Sequence, residues 1–189
     1  MNRLEAIRLL IENLEGDELI VHANGSISRE SFHCRDREEN FYLLGSMGLP
    51  ASVGLGLALS RPERRVIVLD GDGNILMGFG NLALIGALKP SNLIHLVLDN
   101  QAYGTTGNQP TISSLIALDA VAEAAGFSSS VSVGSREELR ERFAFCLQKP
   151  GPHFIQVLVS QETPIRAARI PYTARQIKER FMGALSGKM

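Results

Sequence analysis

Two stretches of the chain, residues 64–70 (RRVIVLD) and 92–100 (NLIHLVLDN), are almost continuously apolar, and each runs into a turn made of Gly, Asp or Asn. A strand that is apolar on both faces must be covered on both, the condition of a parallel sheet sandwiched between helices. Further apolar runs at residues 19–23 (LIVHA), 131–133 (VSV) and 153–160 (HFIQVLVS) read as additional strands. Helical patterns lie between and around them, at residues 2–15, 48–59, 74–88, 115–126, 135–148 and 173–184. This alternation predicts one α/β domain over residues 1–189, a doubly wound, mostly parallel sheet with helices on both faces. The longest irregular stretch, residues 101–114, directly follows a strand, and long loops in compact domains are usually functional.

Composition then excludes several functions. Nineteen basic residues against twenty acidic ones leave a net charge of -1, too little to collect nucleic acid or an anionic membrane surface. Cys34 and Cys146 are too few for a disulfide framework, a zinc ribbon or a cysteine-ligated iron–sulfur cluster. The N-terminal stretch is charged at helical spacing, unlike a secretory signal, and no run is long enough to span a membrane. A soluble protein of the reducing cytoplasm is expected.

Ligands of open parallel sheets bind outside the carboxyl ends of the strands. Three turns fall there: Asn24-Gly25, Gly71-Asp72-Gly73-Asn74 and Asp99-Asn100. Gly71 and Gly73 permit a tight turn and close backbone approach, and the helix that follows starts with unpaired N–H groups suited to a phosphate. A carboxylate at that spot repels a phosphate unless a divalent cation lies between them. Magnesium, which takes hard oxygen ligands and bridges protein oxygens to phosphates, is the natural choice. Asn100 follows Asp72 by 28 positions, the length of a helix and one returning parallel strand, so its amide oxygen can be a second ligand. Ordinary strand-end turns also favour Asp and Asn. A dinucleotide fingerprint is excluded, because Asn74, Ile75 and Leu76 follow where a third glycine belongs.

The GDGN turn followed by LDNQAYG resembles the signature of thiamine diphosphate enzymes. The resemblance implies that Asp72 and Asn100 hold magnesium together with the Ala102 carbonyl, and that Asn74, beside Gly71 and Gly73, meets the cofactor diphosphate. The segment YLLGSMGLPASVGLGLAL, residues 42–59, is similar to the part of the family that holds the aminopyrimidine ring. On that likeness the Gly45 carbonyl accepts from the 4′-amino group and Met47, after Ser46, props the cofactor in its bent shape. Asn24, Gly25 and Tyr103 are further candidates for cofactor contact, although a turn and a helix cap explain the first two about equally well. Thr105, Thr106 and Gln109 lie where a loop can reach substrate.

From the first helix through NFYLLGSMG, GDGN and DNQAYGTTGNQPT, the chain is most similar to the branch containing sulfopyruvate decarboxylase beta subunits and the matching half of phosphonopyruvate decarboxylase. Members activate the cofactor with a glutamate from a separate pyrimidine-binding domain, whereas residue 1 here opens directly on the second domain's first helix. The resemblance therefore implies a hetero-oligomer, α2β2 or larger, with a pyrimidine-binding alpha subunit. Its substrate would be a 2-oxo acid, decarboxylated to an aldehyde with the cofactor ring as electron sink. An acetolactate synthase-like carboligase subunit and a non-catalytic thiamine diphosphate-binding or regulatory subunit stay open as alternatives. A 2-oxo acid ferredoxin oxidoreductase subunit is disfavoured, since two cysteines cannot hold a four-cysteine cluster. His95 and His153 read as hydrogen-bonded core residues. The stretch from Glu162 has six basic residues (Arg166, Arg169, Arg175, Lys178, Arg180, Lys188) against two acidic ones, a solvated face or a surface for an anionic substrate or an alpha subunit.

Overall fold

The computed structural model describes residues 1–162 and 165–186, so Lys188 lies outside the described residues. Six strands form one sheet: β1 (Leu19–His22), β2 (Asn40–Tyr42), β3 (Val66–Gly71), β4 (Leu93–Asp99), β7 (Ser129–Val133) and β8 (His153–Leu158). Their order is β2-β1-β3-β4-β8-β7 and every neighbouring pair is parallel. A two-residue antiparallel pair, β5 (Ala102–Tyr103) and β6 (Gln109–Pro110), stands apart from it.

Burial on both faces follows from the apolar strands. Ile67, Leu69, Ile94 and Leu96 pack into one layer with α1 (Arg3–Glu12), α2 (Ser26–Cys34) and α7 (Arg136–Gln148). Val66, Val68, Leu93 and Val97 face the other, with α3 (Pro50–Ser60), α4 (Asp72–Met77), α5 (Gly80–Leu88), α6 (Leu118–Ala125) and α8 (Ala174–Ser186). Each fully buried Ile, Leu or Val contributes about 1.5–3 kcal/mol. The first helix starts in a capping box, in which the Asn2 side chain accepts from the Glu5 N–H at 3.0 Å and the Glu5 carboxylate accepts from the Asn2 N–H at 2.9 Å.

The expected elements are present with three differences. The helix expected over residues 74–88 starts earlier, at Asp72, and is broken after Met77, because the chain at Gly78 presses on the loop before α3: a Cβ there would stand 2.2 Å from the Gly48 carbonyl oxygen. α2 and β2 were not expected. The sequence SISRESFHC looks polar, yet it buries Ile27, Ser28, Glu30 and Ser31, and β2 is a three-residue edge strand with no apolar run. The segment 101–114 is shaped by the β5–β6 pair and the start of a short 3₁₀ turn (Ile112–Leu115), and α6 begins after it, at Leu118.

Helices α5 and α6 touch at Gly86, where an added Cβ would stand 1.9 Å from the Ala125 carbonyl oxygen; at Gly56, in α3, it would meet nothing within 4 Å. Gly86→Ala should therefore cost about 1–3 kcal/mol or more by overpacking, whereas Gly56→Ala should stabilise by roughly 0.5–1 kcal/mol through reduced chain entropy. Thermal unfolding of the two variants checks this, and equal effects would contradict the packing.

Candidate functional site

From β1 the chain turns into α2 on one face of the sheet, and from β2 into α3 on the other before returning as β3 beside β1. The carboxyl ends of β1 and β3 thus open a crevice at a reversal of strand order, where α/β folds bind ligands. Asn24 and Gly25 line it from β1, Gly71 to Asn74 from β3, and Asn100, Ala102 and Tyr103 from β4. The three turns converge as expected. Met47 reaches the pocket from the GSMG loop, whereas Gly45 and Ser46 are exposed outside it and line a separate cavity with Phe41, Leu44 and Ile177.

Just beyond β4, Gln101 adopts a left-handed conformation (φ 59°) that folds the chain back after Asn100. One polar atom of the Asn100 amide then lies 3.1 Å from Asp72 Oδ1 and 2.9 Å from the Ala102 carbonyl oxygen. With nitrogen in that position the amide donates to both; which orientation holds depends on what else is bound. With oxygen there, three oxygens face one another, an arrangement that repels without a cation. Ligands cis to one another around magnesium, at about 2.0–2.1 Å from the ion, also stand about 3 Å apart. A carboxylate, an amide and a carbonyl form a hard donor set that fits such a cation. No group of three His, Cys, Asp or Glu suited to a softer metal occurs among the described residues.

Asp72 is almost fully buried, and a chain of hydroxyls ties it to Asp99. Thr111 Oγ1 lies 2.6 Å from Asp72 Oδ2 and 2.9 Å from Ser113 Oγ, which lies 2.9 Å from Asp99 Oδ1. Two hydroxyl hydrogens cannot fill three oxygen–oxygen links, so one link lacks a hydrogen while both carboxyl groups are ionised. Consistently, burial pushes the Asp72 carboxyl up from 3.8 to about 6; the Thr111 hydroxyl opposes the shift and the charge of Asp99 adds to it. Asp99 also accepts from the Gln101 N–H at 2.9 Å and from Gln156 Nε2 at 2.7 Å. Three donors explain why a carboxylate is stable beside Asn100.

Asn74 is a strut as well as a pocket wall. Its Oδ1 accepts from the Gly48 N–H at 2.8 Å, and its Nδ2 faces Asn24 Oδ1 at 3.4 Å, so the GSMG loop, the GDGN turn and the turn after β1 are joined through one side chain. Tyr103 lays its ring on the GDGN turn so closely that a Cβ at Gly73 would stand 2.5 Å from the ring. α4 is only six residues long and its first N–H groups receive no side-chain cap, which leaves backbone donors rather than a strong helix dipole for an anion.

Thr111, Ser113, Gln156 and Arg3 were not picked out from the sequence. The first two carry a weak signal, hydroxyls two apart at the end of a functional loop; Arg3 carries none. It reaches the pocket from α1, with Nε and Nη2 held at 2.8 and 2.7 Å by the Glu30 carboxylate.

A carboxyl whose pKa is raised on folding is destabilised as an anion: the penalty is absent below about pH 4 and fully present above about pH 6. Asp72→Asn, which keeps an oxygen for Thr111, should therefore stabilise the cation-free protein at pH 7.5, on the order of 1–2 kcal/mol after discounting for solvent screening. The gain should vanish at pH 4; thermal melts at the two pH values read it, and a loss of stability at pH 7.5 would sink the argument.

Comparison with known proteins identifies a family for the chain. Residues 25–157 match the family described as thiamine pyrophosphate enzyme, C-terminal TPP binding domain. The chain is 42% identical over 187 residues to a sulfopyruvate decarboxylase subunit beta from Methanococcus maripaludis, covering 98% of each chain. It is 39% identical over 179 residues to a phosphonopyruvate decarboxylase from Streptomyces viridochromogenes, covering 95% of this chain but only 45% of that protein. Among solved structures, benzoylformate decarboxylase from Polynucleobacter necessarius has a TM-score of 0.70 at 21% identity, over 87% of this chain and 34% of that one, which shows a shared fold. The chain belongs to the thiamine pyrophosphate enzymes, as a member of the family formed by their C-terminal TPP-binding domain.

Proposed function

We propose that the chain is the diphosphate-binding beta subunit of a thiamine diphosphate- and magnesium-dependent decarboxylase acting on a short 2-oxo acid, sulfopyruvate or phosphonopyruvate. The observation that carries this reading is the convergence of the Asp72 carboxylate, the Asn100 amide and the Ala102 carbonyl at the sheet's reversal point, in a chain so similar to a sulfopyruvate decarboxylase subunit beta. Asp72 Oδ1, the Asn100 amide oxygen and the Ala102 carbonyl hold the cation. Asn24, Gly25, Gly71, Gly73 and Asn74 surround the diphosphate, and Tyr103 keeps the turn in shape. The Gly45 carbonyl and Met47, after Ser46, receive the aminopyrimidine end. When bound, the cofactor supplies an electron sink for the carbon that loses carbon dioxide.

A partner is part of the proposal. Apart from Asp72, no carboxylate among the described residues lines the pocket, so the glutamate that protonates the pyrimidine ring belongs to a pyrimidine-binding alpha subunit, in an α2β2 or larger assembly. Leu49, Met77, Phe79 and Leu84 are exposed on α3, α4, α5 and the turns beside them, next to the GSMG loop, an apolar surface of the kind that subunits cover. No helix among the described residues is long and apolar enough to cross a membrane, and we place the complex in the cytoplasm.

Co-purified with its alpha subunit, the chain should release carbon dioxide from a 2-oxo acid, and alone it should not. Condensation of two substrate molecules instead would indicate a carboligase, and cofactor binding without turnover in the complex a regulatory subunit. Asp72→Ala should abolish magnesium-dependent cofactor binding in calorimetry; retained binding removes the metal assignment. Thr111→Val, which leaves Asp72 without its hydroxyl donor, should weaken that binding roughly 10-fold, the cost of one hydrogen bond to a charged group.

A further inference from the structure

Beside the cofactor pocket lies a second cavity of about 430 Å³, between α2 and the segment carrying Arg169 and Tyr172. Its size is within the ordinary range of small-molecule sites. It shares Gly25 with the cofactor pocket, and Leu43 and Leu44 in its wall lead directly into Gly45. The proposed function puts the aminopyrimidine at Gly45 and the diphosphate near Gly25, so the cavity runs alongside the cofactor between its two ends.

Two guanidinium groups, of Arg29 and Arg169, line this cavity and no carboxylate does. The nearest acidic side chains are already engaged. Glu30 is gripped by Arg3 at 2.7 Å, and Asp36 accepts from Arg180 at 2.8 Å and from the Tyr172 hydroxyl at 2.8 Å. Neither Arg29 nor Arg169 forms an ion pair among the described residues, although Arg29 is half-buried. For Arg29 a guanidinium partly removed from water without a counter-ion is unfavourable, Arg169 is exposed and free to turn toward a ligand, and the fork of donors of each matches the oxygens of a sulfonate or phosphonate. The cofactor's own phosphates have a separate pocket. The carboxylate of a 2-oxo acid is a poor occupant, since it must leave as carbon dioxide, and two arginines would hold it back.

We infer that Arg29 and Arg169 form a subsite for a second, tetrahedral anion on the far carbon of the 2-oxo acid, so that this cavity selects a doubly anionic substrate over pyruvate. The inference rests on the decarboxylase reading above. Sulfonate and phosphonate share the required chemistry, and the turnover of each shows which one the subsite serves.

The test uses the complex with its alpha subunit, loaded with magnesium and thiamine diphosphate, and compares kcat/KM for sulfopyruvate, phosphonopyruvate and pyruvate. In Arg29→Gln and Arg169→Gln the preference for the better of the two anionic substrates over pyruvate should fall about 30-fold or more, mainly through KM, as expected when binding is lost uniformly. Arg29→Lys should recover part of it, keeping the charge without the fork. Cofactor affinity by calorimetry and complex size by gel filtration are read on each variant. An unchanged preference, or parallel loss on all three substrates, overturns the subsite while leaving the decarboxylase reading intact. Failure of the variants to assemble assigns the arginines to the subunit interface and also overturns it. A wild-type complex that binds cofactor but decarboxylates none of the three removes the underlying reading and this subsite with it.

Discussion

The buried carboxylate of Asp72 is the constraint around which the site is organised. An anion at the end of a parallel strand, out of water and near a second carboxylate, is unfavourable by itself, as its raised pKa records. The fold tolerates it through the Thr111 hydroxyl, the backbone N–H groups of Asp72 and Gly73 and a neighbouring amide, yet burial still outweighs these donors. That deficit has a direction. A proton or a divalent cation completes the arrangement, and near neutral pH the proton is already mostly lost, so a cation has little to displace.

Rigidity comes from spreading this arrangement over three strands. The chain from Asp72 through Thr111 and Ser113 to Asp99 and Gln156 runs from the end of β3 across the loop to β4 and β8. Asn74 does the same on the other side, fastening the GSMG loop to the turn after β1. Side chains locked by such supports hold a ligand geometry better than residues on a free loop. Glycine serves the same end where backbone must meet ring or backbone: Gly73 under Tyr103, and Gly78 against the Gly48 carbonyl.

Most of this was legible in the sequence for a definite reason. Strands buried on both faces announce themselves as apolar runs, and their carboxyl ends mark the ligand site, so Asp72 and Asn100 could be placed together without coordinates. What escaped was held by tertiary contacts. α2 is polar in composition and is buried through Ile27, Ser28 and the Glu30–Arg3 pair, and β2 exists only because β1 offers it an edge. The break at Gly78 has no local cause; it answers the close approach of Gly48, 30 residues earlier. The hydroxyl relay was hidden for the same reason, because Thr111 and Ser113 gain meaning only when the loop folds back over the strand ends.

The placement of charge also bears on the proposed division of function between this chain and a partner. Oxygens of the kind a hard cation takes, close-approaching glycines and backbone donors converge here at the carboxyl ends of three strands, as the proposed diphosphate site requires. The acid that must act on the pyrimidine ring has no counterpart in that pocket, and a further carboxylate beside Asp72 and Asp99 would raise the penalty already seen in Asp72. In the proposed assembly the glutamate comes from a partner and stays apart from Asp72, so each can hold the protonation state its task requires. A pocket that already buries one strained carboxylate thus suits an activator carried elsewhere, on another domain or another subunit.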